Sequence, residues 1–321
     1  MPRRRFRLLP VLLGFLLLVA CGGDPQTAGA RAGPQPPTAH AALGEFRDID
    51  PCSMANPAAL RGFGEAVQTD TVSLDHCLLH VQAPDGSRIQ LSVGDLEAGG
   101  AEPGAPVDRR GPLPIEQRAP LPGHCERSIP FADGVALRVA ADLLEGRPGS
   151  GLCGIAQAGA EHAATAVARG EVGHRSYPPN SLALADPCAV LHRDDVRQVP
   201  DMERANAHPE PAAHQCHWGE QVADAPRVAL THTAGDPPEK SRGTDVEEQV
   251  SGRRTVLGVV GGDPRLPLCS AETPHLPFGP PGSGQVEVAQ LVVALPGATG
   301  VDACEFARGL AERAWPQLPR A

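Results

Sequence analysis

Nine cysteines and twelve histidines hold most of the reactive side chains of this 321-residue chain, and their spacing sorts the chemistry they could do. His76-Cys77, His124-Cys125 and His214-x-Cys216-His217 set imidazole beside thiol, ligand types that Zn²⁺ accepts. No Cys-x-x-Cys knuckle occurs, and every cysteine but the first has a counterpart suited to a disulfide. The remaining pattern of His208, His214, His217, His232 and His275 reads as scattered solvated imidazoles, so neither a metal site nor a cofactor is expected. For hydrolysis, Gly149-Ser150-Gly151 and Gly282-Ser283-Gly284 lack the flanking glycine spacing of a nucleophile elbow and read as loops. A Ser-x-x-Lys site would need Lys240, the only lysine, and the residue three before it is Pro237. Glu161-His162 reads as a surface pair, and Gly258-Val259-Val260-Gly261-Gly262-Asp263-Pro264 lacks the lysine and following helix of a phosphate loop. The chain is therefore expected to bind rather than catalyse. The competing class is a cell-envelope enzyme or zinc carrier, and thiol titration with elemental analysis separates the two.

A second feature that could do chemistry is a pair of arginines that occurs twice. Arg109-Arg110 and Arg253-Arg254 each stand ahead of a predicted strand, with Arg110 and Arg254 both fifteen residues before a cysteine. A salt-bridged or solvated strand start explains such a pair. The sharper expectation is one anion-binding spot per repeat, because a guanidinium fork matches carboxylate or phosphate.

The compartment comes from the first twenty residues. Arg3-Arg4-Arg5-Phe6-Arg7 is a positive leader, and the apolar run Leu8 to Ala20 is too short to span a bilayer as a helix but suits a signal peptide. It ends in Leu18-Val19-Ala20-Cys21-Gly22, which resembles the lipobox of bacterial lipoproteins, where the cysteine is diacylated and the preceding bond cut. The sequence leaves open whether export uses the general or the twin-arginine route. Cys21 is thus the expected lipidation site and the membrane the expected partner, through an N-terminal diacylglyceryl-Cys. Without the four leader arginines the net charge goes from −10 to −14, which excludes a nucleic-acid partner that needs clustered Lys and Arg.

Eight cysteines remain in an oxidising compartment: Cys52, Cys77, Cys125, Cys153, Cys188, Cys216, Cys269 and Cys304. They fall into two sets of four with similar steps, and their neighbourhoods match. Asp50-Pro51-Cys52 corresponds to Asp186-Pro187-Cys188, and Arg88-Ile89-Gln90-Leu91 to Arg227-Val228-Ala229-Leu230. The chain is read as an internal duplication. Residues 1–20 form the signal peptide, 21–44 the acylated cysteine and a disordered tether, 45–169 repeat 1, 170–181 a semi-stiff linker, and 182–321 repeat 2.

The elements that position these residues follow from periodicity. In repeat 2, Asp186-Pro187 starts a helix carrying Cys188, Leu191 and Val199. Cys216-His217-Trp218 and Val228 to His232 form a hairpin, Val246 to Val250 a short helix, and Thr255 to Val260 and Gln285 to Leu295 strands. Cys304 to Leu318 is a closing helix. Repeat 1 follows with Ile89-Leu91-Val93, Val135-Leu137-Val139 and a helix from Cys153 to Arg169, while Asn56-Pro57 breaks its first helix after one turn. The order implies an α+β fold: two tandem disulfide-stapled domains, each an antiparallel sheet with helices on one side. Four cysteines allow three pairings per repeat. First-to-second with third-to-fourth is favoured because each bridge would pin a helix start to a strand near in sequence. With ten aromatic residues in all, the core is expected to lean on these bridges.

The motifs Asp186-Pro187-Cys188-Ala189-Val190-Leu191, Cys216-His217-Trp218 and Cys304-Glu305-Phe306-Ala307-Arg308-Gly309-Leu310-Ala311 resemble those of an actinobacterial lipoprotein family, domain of unknown function 3558. That family is similar in outline to the extracellular sensor domain of a mycobacterial Ser/Thr protein kinase. The resemblance implies a disulfide-pinned α+β fold with a cleft and carries over no catalytic residues. Repeat 1 departs from it at Met54-Ala55-Asn56 and at Leu78-Leu79, which stands in the tryptophan position. The expected protein is a lipid-anchored binding or sensor lipoprotein on the extracytoplasmic face of the cell membrane, with an unknown small ligand or envelope protein as its further partner.

Overall fold

In a computed structural model of the chain, the described residues are 36–69, 73–99, 104–147, 151–220, 222, 225–260, 268–296 and 301–321. The signal peptide and Cys21 lie outside them, as do Gly149, Ser150 and residues 261–264. Residues 36–321 form one compact unit.

The expected tether is shorter than 21–44. Thr38 accepts a hydrogen bond from the Ala41 amide and caps helix α1 (Ala39–Leu43), whose Ala39 and Leu43 are buried. Asp133 accepts from the Ala39 amide at 3.0 Å, so this stretch docks on repeat 1 because apolar Ala39 and Leu43 share one helical face. Strand β1 (Ile49–Asp50) then leads into a 3-10 turn at Pro51–Met54, where Asp50 accepts from the Cys52 amide, and a second turn, Pro57–Leu60, follows the Asn56-Pro57 break.

Repeat 1 continues through β2 (Glu65–Gln68), β3 (His76–Gln82), β4 (Arg88–Ala98), β5 (Val107–Asp108), β6 (Ile115–Gln117), β7 (His124–Pro130) and β8 (Val135–Glu145). These form one antiparallel sheet in the order β2-β3-β4-β8-β7-β6-β5. Helix α2 (Leu152–Ala168) packs on it with Ile155, Ala156, Ala160, Ala163 and Ala164 buried. The helix comes unusually close at Gly159, where a Cβ would lie 2.8 Å from Leu91 Cδ2. Repeat 1 therefore fills part of its core by close approach of small residues, beside the rings of Phe46, Phe63 and Phe131.

Residues 170–181, read as a linker, are built into the fold. Strand β9 (Gly173–His174) pairs with β1, and Arg175 donates to Asp50 at 2.9 Å and to the Ser73 carbonyl at 2.6 Å. Tyr177 stacks on Phe278 of repeat 2 with ring centroids 6.3 Å apart.

Repeat 2 opens with two single-turn helices, α3 (Pro187–Val190) and α4 (Arg193–Val196), instead of one continuous helix. Leu191 between them is extended, and its side chain is buried. Strands β10 (Ala207–Pro209), β11 (Gln215–Gly219), β12 (Arg227–Gly235), β13 (Val246–Val250), β14 (Arg253–Val259), β15 (Leu268–Pro277) and β16 (Val286–Ala294) follow. Their order, β10-β11-β12-β16-β15-β14-β13, repeats that of the first sheet strand for strand. The segment Val246–Val250, expected as a helix, is the edge strand β13, because its pairing with β14 overrides a pattern too short to specify a helix. Helix α5 (Ala303–Ala314) closes the repeat and buries Ala307, Leu310 and Ala311, with Trp315 just beyond it. Trp218 and Trp315 are the two largest side chains fully buried in the molecule.

The fold is α+β, with a seven-stranded antiparallel sheet in each repeat. Four disulfides staple it: Cys52–Cys77, Cys125–Cys153, Cys188–Cys216 and Cys269–Cys304. This is the favoured pairing, and each bridge joins the start of a helix or helical turn to a strand. At three of those starts an aspartate (Asp50, Asp186, Asp302) accepts from the cysteine's own amide, which fixes the sulfur's direction.

Candidate functional site

The histidines beside cysteines do not gather around the sulfurs, all eight of which are spent on disulfides. His76 faces Asp95 at 3.4 Å, His124 faces Asp142 at 2.7 Å, His217 faces Glu210 at 3.5 Å, and His214 faces Asp75 at 2.6 Å. No grouping of three or more His, Cys, Asp or Glu side chains able to hold a metal occurs among the described residues. Ser283 donates to the Phe278 carbonyl inside a turn, and Glu161 accepts from Gln157 on the exposed face of α2.

The arginine pairs occupy related but unequal places. Arg109 and Arg110 sit in the connection between β5 and β6, whereas Arg253 and Arg254 already lie in β14. Arg110 in repeat 1, and both Arg253 and Arg254 in repeat 2, contribute to a groove beside the closing helix. The groove of repeat 1, about 300 Å³, is lined by Asp108, Arg110, Ile115, Glu161 and Thr165. That of repeat 2, about 470 Å³, is lined by Arg253, Arg254, Thr273, Trp315, Leu318 and Arg320.

Their electrostatics diverge. Arg110 grips Asp108 through Nε at 3.0 Å and Nη2 at 2.6 Å, and these hydrogen bonds hold the Asp108 carboxyl at about 2. Arg254 grips Glu247 of β13 in the same way, both bonds at 3.0 Å, and holds that carboxyl below its ordinary value. The two forks that matched in sequence are therefore closed on carboxylates of the neighbouring strand. Arg109 is exposed at the rim.

Arg253 differs. Its guanidinium is half-buried and has neutral partners: the Pro319 carbonyl, which accepts from Nη2, and His275 Nδ1, 3.3 Å from Nη1. Burial pulls its pKa down, as expected for a cation with little opposing charge. The groove of repeat 2 is lined by Arg253 and Arg320 together with Ala321, while that of repeat 1 sets Arg110 against Asp108 and Glu161. The partners Asp108 and Glu247 escaped sequence reasoning. The signal available was an acidic residue two before Arg110 and seven before Arg254, which becomes meaningful only once the hairpin register is known.

No protein-family model, curated protein or solved structure matches the chain.

Proposed function

We propose that this chain is a lipid-anchored binding lipoprotein on the extracytoplasmic face of the cell membrane, a tandem member of the lipoprotein family that its Asp-Pro-Cys and Cys-x-Trp motifs resemble. The Leu-Val-Ala-Cys21 leader and four disulfides support export, since such bridges persist outside the reducing cytoplasm. The ligand class follows from one observation. Arg253 presents a partly buried guanidinium with neutral partners on the wall of a groove of about 470 Å³, beside Trp315 and Arg320. Such a groove favours a small anion carrying a carboxylate or phosphate and an apolar part. Binding is assigned to repeat 2 alone, because the forks of Arg110 and Arg254 are closed on Asp108 and Glu247.

The test is calorimetric titration of the full mature chain in detergent with inorganic phosphate, citrate and aryl carboxylates. At least one should bind, Arg253→Ala should abolish that binding, and Arg110→Ala should leave it unchanged. Equal loss in both variants, or no binding of any anion at millimolar concentration, overturns the assignment. Labelling with radioactive palmitate, lost in Cys21→Ser, tests the anchor separately.

A further inference from the structure

The chain segment Asn180–Ala183 is strapped to the second sheet by hydrogen bonds. Leu182 is buried in the core of repeat 2, Asn180 Nδ2 donates to the Arg320 carbonyl at 2.8 Å, and the strap's backbone takes further bonds from the sheet. His275 of β15 donates from Nε2 to the Asn180 carbonyl at 2.7 Å, and His232 of β12 donates from Nδ1 to the Leu182 carbonyl at 3.1 Å. His214, just before β11, reaches the Ala183 carbonyl at 3.2 Å. Glu287 of β16 accepts from the Ser181 hydroxyl and, at 2.8 Å, from the Leu182 amide. His214, His232, His275 and Glu287 are all buried.

The duplication supplies an internal control. Cys216 pairs with Leu230 as Cys77 pairs with Val93, so His232, opposite Ala289, stands where repeat 1 has Leu96 opposite Leu137, and His275 stands six after Cys269, where repeat 1 has Phe131 after Cys125. Cys269 pairs with Val293 as Cys125 pairs with Ala141, which puts Glu287 where repeat 1 has Val135. Leu96, Phe131 and Val135 are apolar and packed in or against the core of repeat 1. The fold itself therefore does not require ionisable groups at these positions.

We propose that the strap is an acid-releasable clamp: protonation of His232 and His275 detaches Asn180–Leu182 from the second sheet, while His214 and Asp75 keep its far end fixed. The three imidazoles respond differently because their partners differ. His275 uses Nδ1 as the acceptor toward Arg253, so a proton there sets imidazolium against guanidinium at 3.3 Å. His232 donates from Nδ1, has no partner at Nε2 among the described residues, and lies near His214 and His275. Burial lowers its pKa from 6.5 to about 4, so the clamped form refuses the proton that a released form accepts. His214 faces two acceptors, Asp75 at 2.6 Å and the Ala183 carbonyl, and both contacts are satisfied by a protonated ring. The other charged or titratable groups at the strap are Glu287 beneath it, and Arg175 and Tyr177 in the connector leading to it. Because Arg253 also lines the groove of repeat 2, release of His275 would free that guanidinium, although the clamp does not depend on the groove binding anything.

Across the window from pH 6.5 to 4, His232 alone shifts the clamp equilibrium toward release by ~80-fold. Hydrogen–deuterium exchange of the full mature chain in detergent, corrected for the intrinsic pH dependence of exchange, reads this in peptides covering 178–186. Their protection should fall by roughly 15-fold between pH 6.5 and pH 5 while α2 and β12 stay protected. In the variant His232→Leu/His275→Phe, which takes the residues of repeat 1, the fall should vanish. Protection that is independent of pH in the wild type overturns the clamp. So does loss in the strap and both sheets together, which would be global unfolding, or an undiminished pH response in a folded double variant.

Discussion

Loss of the Cys269–Cys304 bridge is the sharpest test of how this protein is held together. The bridge closes a loop of 35 residues between buried β15 and the first turn of α5. In the chain-entropy account, opening such a loop costs about 4 kcal/mol, acting on the unfolded chain. The shorter loop of Cys125–Cys153, 28 residues, gives nearly the same value, about 3.6 kcal/mol. The double variants Cys269→Ala/Cys304→Ala and Cys125→Ala/Cys153→Ala should therefore be destabilised almost equally. That equality is informative because repeat 2 buries Trp218 and Trp315 while repeat 1 relies on the alanine-rich face of α2. At a urea m-value near 3 kcal/mol/M the midpoint should fall by about 1 M. The tryptophan bands of the near-UV spectrum before the transition should be unchanged, since the folded packing loses only a sulfur bridge. A midpoint shift below about 0.3 M in both variants would refute the reasoning that a core poor in rings leans on covalent cross-links.

Three further outcomes follow from particular contacts. Thr255→Val removes the acceptor 3.0 Å from Trp315 Nε1 in a fully buried site and should cost about 1–3 kcal/mol by urea unfolding, against a near-silent Thr233→Val in β12 of the same sheet. Gly94→Ala should cost more than about 2 kcal/mol, because φ is 144° and a Cβ would stand 2.1 Å from the Asp75 carbonyl; Gly86→Ala, with open space at φ 84°, should cost only about 1 kcal/mol. Stability should fall as pH drops from 6.5 toward 4. Over that range the unfolded chain binds a proton at His232 that the folded one refuses, worth about 3 kcal/mol once complete. His217, also lowered by burial, acts in the same direction. His76 acts oppositely: burial lowers its pKa, but Asp95 more than compensates and leaves it raised, so its contribution is present in acid and lost as pH rises. A midpoint that rises on acidification from 6.5 to 5 would contradict the sign.

Much of the architecture was legible because cysteines and apolar alternation are local signals. Asp50-Pro51-Cys52 and Asp186-Pro187-Cys188 announced matching helix starts, and the alternation in Val286 to Val293 announced a strand. What escaped was whatever depends on partners far along the chain. Val246–Val250 carries no alternation strong enough to declare an edge strand until β14 lies beside it. Gly170 to Ser181 looks like a spacer in composition, yet Arg175, Tyr177 and Ser181 each find partners more than 100 residues away. The arginine pairs, expected ahead of a strand in both repeats, stand in the β5–β6 connection and inside β14, and their inequality was invisible in the sequence. It depends on hairpin register that places Glu247 against Arg254 and on a strand neighbour, His275, that meets Arg253. The buried row of His214, His232 and His275 read as solvated imidazoles because the strap that covers them had been assigned to a linker.

The central claim is an exported, acylated chain whose eight remaining sulfurs are joined in pairs, and intact mass of the membrane-extracted protein tests it most directly. The account predicts a polypeptide starting at Cys21, heavier by a diacylglyceryl group and lighter by eight hydrogens than its reduced form, the count set by four disulfides. A chain that retains residues 1–20, lacks the lipid mass, or gains no hydrogens on reduction would contradict it.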